Sequence, residues 1–148
     1  MNILTSTAAK IRRVQAQMPY LIRLVVNENA TLLEDMNIAQ LEKGQRADGT
    51  TLPDYSERSV KQFGKPPGPI KIFETGAFRR GITVQTIGTK IEVYTTDSKA
   101  MYIGDGPGLI ERYGEIVGIS VENQGIFVRE ILRPELVKKI RERLFPLR

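Results

Sequence analysis

At 148 residues the chain has the length of one domain, and its 41% apolar content is enough to bury a core. It contains neither cysteine nor histidine, which removes disulfides, thiolate nucleophiles, cysteine-ligated metals and the commonest general base and transition-metal ligand. The net charge of +5 is uneven: from Arg129 onward seven Lys/Arg face three Glu, a net +4 that leaves +1 for the first 128 residues, so basic character is expected in the tail.

The first residues include basic side chains but no continuous apolar run, so a secretory signal is not expected. The apolar run over residues 20–26 is interrupted by Arg23 and is too short to span a bilayer, which points to a soluble cytoplasmic protein. Thr5, Ser6 and Thr7 are N-cap candidates. Ile11, Val14, Met18, Ile22, Val25, Leu32 or Leu33, and Met36 then recur at three- and four-residue steps, an amphipathic helical stripe. Pro19 is expected to kink this helix or to start a second one, and Gly44 to stop it. Such a stripe serves either as a core helix packed across a sheet or as a helix partly shared with a neighbouring subunit.

Residues 45–69 read as an extended loop punctuated by Pro53, Pro66, Pro67 and Pro69, with a turn at Asp48-Gly49. A short helix over 56–63, capped by Ser56, interrupts it. Asp48, Thr50 and Asp54 begin a calcium-loop pattern, but the third-ligand spacing and the closing glutamate are missing. Long loops of this kind are functional or flexible, and ordering by a partner is the expectation here.

The stretch from Ile70 to Val84 organises the rest. Thr75-Gly76 makes a turn, Ala77-Phe78-Arg79-Arg80 reads as one helical turn or an extended link ending at Gly81, and Ile82, Val84, Ile91 and Val93 follow at period two. Gly88 turns Ile82–Thr86 into Lys90–Thr95 as a β-hairpin, and residues 99–103 offer a third strand. The glycine-rich loop at 104–108 lacks Gly-Lys-Ser/Thr and carries Asp105, which argues against phosphate binding. A helical turn over 109–113 ends at Gly114, and residues 116–119 form a short apolar strand or core segment. Ser120 caps a helix through Ile131, and Pro134 opens a last basic helix over 134–148, supported by a Glu135–Lys139 pair at i,i+4. The predicted class is α+β: a long N-terminal and a C-terminal helix packed on a small, mostly antiparallel sheet.

No catalytic constellation stands out. Glu34-Asp35 and Glu74 have no proton-shuttling partner, and no serine has a base to activate it. Neither a catalytic residue nor a metal or cofactor is assigned. The charged candidates are Arg79 and Arg80, and in the last helix Lys138, Lys139 and Arg141; each could meet DNA phosphate or an acidic patch on a neighbour, or stand on a solvated face.

Three ordered features resemble a known family. Leu52-Pro53-Asp54-Tyr55-Ser56-Glu57-Arg58-Ser59 sits in the loop, Phe73 to Ile82 reads Phe-Glu-Thr-Gly-Ala-Phe-Arg-Arg-Gly-Ile, and a small helix ends in Tyr113-Gly114. This order is similar to the virion morphogenesis and tail completion proteins of tailed bacteriophages, the head–tail joining class. The likeness covers roughly residues 40 to 132. The chain departs from that pattern in having Arg112-Tyr113 before the late glycine and in lacking an arginine-proline step before 117–120. The resemblance implies a non-enzymatic structural subunit of a homo-oligomeric ring at the neck or upper tail, assembled in the host cytoplasm into the virion. Its partners would be portal, adaptor and tail proteins, with DNA passing through the lumen and no membrane involved. Phe73, Thr75, Gly76 and Phe78 would set the hairpin base, with Arg79 and Arg80 as interface charges. Two other classes predict different behaviour. A small nucleic-acid-binding protein using its basic C-terminal helix would bind duplex in a steeply salt-dependent way. A carboxylate hydrolase would lose activity on Glu74→Gln.

Overall fold

The computed structural model describes residues 3–72, 76–88, 90–98, 102–103 and 106–146. Its first helix, α1 (Ile3–Glu28), continues through Pro19. Pro19 lies on the exposed face, where water can satisfy the carbonyl left without its N–H donor, so the apolar stripe holds the helix together past it. The restart expected at Pro19 comes instead at Asn29. That residue leaves helical geometry at φ −117°, ψ 21°, and its side-chain amide donates to the Val25 carbonyl at 2.9 Å. The chain then re-enters α2 (Ala30–Glu42). Gly44 follows the cap of α2 at φ +71°, and a β-carbon there would meet the Pro69 ring at 2.8 Å, so glycine serves both the turn and the close approach.

The two ends of the long loop are paired through backbone hydrogen bonds. Tyr55 N–H donates to Gly68 O and Ile70 N–H to Pro53 O, each at 2.9 Å, pairing the two ends of the Pro53–Pro69 excursion. Within it, α3 (Glu57–Phe63) forms as expected, with Ser56 Oγ accepting from the Ser59 N–H at 3.2 Å. Next come α4 (Ala77–Gly81) and the hairpin of β1 (Ile82–Ile87) and β2 (Lys90–Thr95), paired antiparallel from Ile82↔Thr95 to Ile87↔Lys90. Gly88 takes φ +60° in the two-residue turn that this register requires. Of the expected third strand only its last two residues are described. They form β3 (Tyr102–Ile103), which pairs with β4 (Gly106–Pro107) in a separate ladder and not with the hairpin.

The helix α5 (Leu109–Tyr113) ends at Gly114, and residues 116–119 are an irregular core segment, not a strand, with Ile116 fully buried. Ser120 Oγ caps α6 (Val121–Phe127) by accepting from the Asn123 N–H. One π turn, Val128–Leu132, then joins it without a break to α7 (Arg133–Leu144). Pro134 explains the turn: lacking an N–H, it cannot bond the Glu130 carbonyl, and Arg133 N–H instead reaches back five residues to Val128 O.

The architecture is α+β, and α2 is its hub. Leu33 joins Val26 and Phe127 in one buried cluster. Leu41, two turns on, joins Leu52, Ile72, Phe78, Ile82 and Ile116 in the other. β1 packs against α2 and α1, while α7 lies chiefly along α1. No described helix is long and apolar enough to cross a membrane.

Candidate interaction surface

Residues 37–50 and 113–123 are joined by a polar knot. On the buried face of α2, Gln40 Oε1 accepts from Ser120 N at 2.9 Å and from Asn123 Nδ2 at 2.7 Å, while its Nε2 donates to Gly118 O and Arg46 O. One turn earlier Asn37 Nδ2 donates to Gly118 O at 2.8 Å, and Asn37 Oδ1 has no hydrogen-bond partner among the described residues. Arg46 donates from Nε to Tyr113 O at 2.6 Å and from Nη1 to Thr51 O at 2.7 Å. These bonds take the place of a strand ladder for the irregular 113–120 segment and thereby aim α6. Gly118 sits at φ +150° with Ala47 so close that a β-carbon would lie 2.8 Å from it.

Two hollows flank the start of α6. One is an apolar groove of about 350 Å³ lined by Leu33, Ile91, Val93, Ile119, Phe127, Val128 and Leu132. It borders the outer edge of β2, which no strand covers among the described residues. The second hollow, about 320 Å³, is polar and lined by Gln45, Asp48, Thr50, Ser120 and Glu122. Hydrogen bonds from the Thr50 hydroxyl and then its N–H hold the Asp48 carboxyl below the ordinary aspartate range, so it stays anionic. Val121, 78% exposed, also lines this polar hollow.

The third feature is the helix pair. α1 carries Lys10, Arg12, Arg13 and Arg23 against Glu28; α7 carries Arg133, Lys138, Lys139, Arg141 and Arg143 against Glu135 and Glu142. Their net +6 exceeds that of the whole chain, so the basic surface belongs to both helices and not to the tail alone. Lys139 meets Glu28 across the pair at 2.8 Å instead of the expected Glu135, and Arg143 Nε donates to Gln17 Oε1 at 3.0 Å. Beyond that point α7 ends. The first eleven residues of α1 then stand largely clear, with Ile3 81%, Leu4 75% and Ile11 45% exposed.

The sequence candidates thus separate. Lys138 and Arg141 are exposed on α7, whereas Lys139 is only 15% exposed and is occupied by Glu28. Arg79 is ion-paired with Glu42 of α2 at 3.0 Å, which ties α4 to the hub, and Arg80 is exposed beside it. Phe78 is buried in the core cluster with Ile82, and Gly76 turns at φ +68° before α4. Phe73 and Thr75, the other two residues expected at the hairpin base, and Glu74 lie outside the described residues. Sequence reasoning missed Asn37, Gln40 and Arg46. The available signal was two amides on the apolar side of a helix between Leu33 and Leu41. No group of three or more acidic side chains able to hold a metal ion occurs among the described residues. Compared with family models, with curated proteins and with solved structures, the chain matches none.

Proposed function

We propose that the chain is a structural, non-enzymatic virion protein of a tailed phage, part of the neck or tail-completion ring that joins head to tail. The observation that carries this reading is the Phe73–Ile82 motif in its order between proline-rich loop, hairpin and terminal helix. A subunit of this kind works through surfaces rather than bond-making, and its heterologous contacts require two different patches that match each other. The projecting end of α1 and the hollows beside α6 are two such patches. Light scattering and negative-stain microscopy of the purified chain test the reading, alone and mixed with portal, adaptor and tail proteins of the same virion. A closed ring in either condition is the expected result, and a monomer in both overturns it.

A second reading has its own support in the net +6 charge of α1 and α7, which suits nucleic acid. It predicts a monomer whose duplex affinity falls steeply as salt rises. A ring without duplex affinity eliminates it.

A further inference from the structure

The apolar stripe that α1 buries from Val14 onward does not stop where its cover does. At 100° per residue, Leu4 and Ile11 continue the Met18–Ile22 edge of that stripe with Ala8 beside them, while Lys10 falls in line with Val14 and Leu21 and Arg12 borders Ala8. α7 ends at Leu144, so this leading stretch, about 16 Å long at 1.5 Å per residue, is left uncovered. A helix this short gains little stability on its own in water, and a partner is what keeps such a stripe helical. Pairing of two leading stretches with each other would set Lys10, Arg12 and Arg13 of both copies together, and like charge disfavours it. The face around Val121 is the opposite case. Val121 lines a hollow together with Asp48 and Glu122, and the apolar groove opens on the same helix at Gln124 and Phe127.

We infer that the leading stretch of α1, residues 3–13, docks on the Val121 face of a second copy. Leu4 and Ile11 enter the groove between β2 and α6, and the flanking basic side chains meet Asp48 and Glu122. The contact is heterologous, because donor and acceptor are different surfaces, so each copy can give and receive once, as a ring or chain of subunits needs. It deepens the assembly reading above and rests on it for the second copy.

The absence of cysteine makes the test direct. Ile11→Cys and Val121→Cys are made as separate full-length variants at exposed positions, and Phe63→Cys, exposed on α3, serves as control. Equimolar mixtures are oxidised mildly and separated without reductant. The expected result is a disulfide between the Ile11→Cys and Val121→Cys chains at least tenfold above either variant mixed with the control. It should be lost when Glu122→Lys and Asp48→Lys are added to the acceptor. Cross-linking of Ile11→Cys chains to each other as readily as to Val121→Cys, or no disulfide above control, overturns the inference. Light scattering on the unmodified chain separates the two levels. Rings without the specific disulfide sink this contact and leave the assembly reading standing; a disulfide with a closed dimer supports the contact and sinks the ring.

Discussion

Gln40 sits in a helix as any surface glutamine would, yet it is 3% exposed and spends its amide on Ser120, Asn123, Gly118 and Arg46. Replacing it by a similar-sized apolar residue keeps the volume and strands the Ser120 N–H. Gln40→Leu should therefore cost about 1–3 kcal/mol in urea unfolding, while Gln62→Leu on exposed α3 should stay within about 0.5 kcal/mol. Gly118→Ala should cost about 1–3 kcal/mol from its backbone strain alone. Adding Ala47→Gly should return only the part due to the β-carbon clash. For Asp48 the readout is a titration. Its folded carboxyl titrates below the unfolded one, so its small contribution to stability is present above the ordinary aspartate range and lost as pH falls through the folded value. Thr50→Val removes the larger cause, the hydroxyl bond, and should move the Asp48 midpoint upward in a carbon-detected NMR titration.

Among the elements, the joint between α6 and α7 carries the sharpest expectation. A π turn holds one residue more than an α turn, so the faces of α6 and α7 are set by that extra residue. Deleting Glu130, which is exposed and ion-paired with adjacent Arg129, should remove the extra residue of the π turn and keep both faces. Deleting Lys138 rotates everything after it by about 100° and turns Ile140 and Leu144 away from α1. Thermal unfolding should place the second variant well below the first, at about 3 °C per kcal/mol of lost packing for a chain of this size. Phe78→Ala at the hairpin base should cost about 3–5 kcal/mol. Loss of the half-exposed Arg79–Glu42 pair should cost about 0–1 kcal/mol, so Arg79→Ala that disturbs assembly more than stability marks a true interface charge.

Over the whole molecule the governing feature is segregation of charge. The α1–α7 pair holds more positive charge than the chain does in total, leaving the remainder, including Asp48 and Glu122, slightly acidic. Self-association that joins these two regions should weaken as the Debye length shrinks from about 10 Å at 0.1 M salt to about 3 Å at 1 M. Contacts made by the apolar stripe alone would persist. Sedimentation at the two ionic strengths reads the difference.

Local signals were enough for the helices, the Ser56 and Ser120 caps, the Gly88 hairpin and the α+β class, because periodicity, capping and turn chemistry act between residues a few positions apart. Tertiary contact decided the rest. Pro19 passes inside a helix because the stripe on the other face is held by α7, and Lys139 leaves its neighbour Glu135 for Glu28, 111 positions away. Gln40 becomes structural only once residue 120 is beside it. The packing of α7 on α1 brings two basic helices side by side and ends short of Ile3. Each depends on which distant segment lies alongside, and no spacing along a single chain records that.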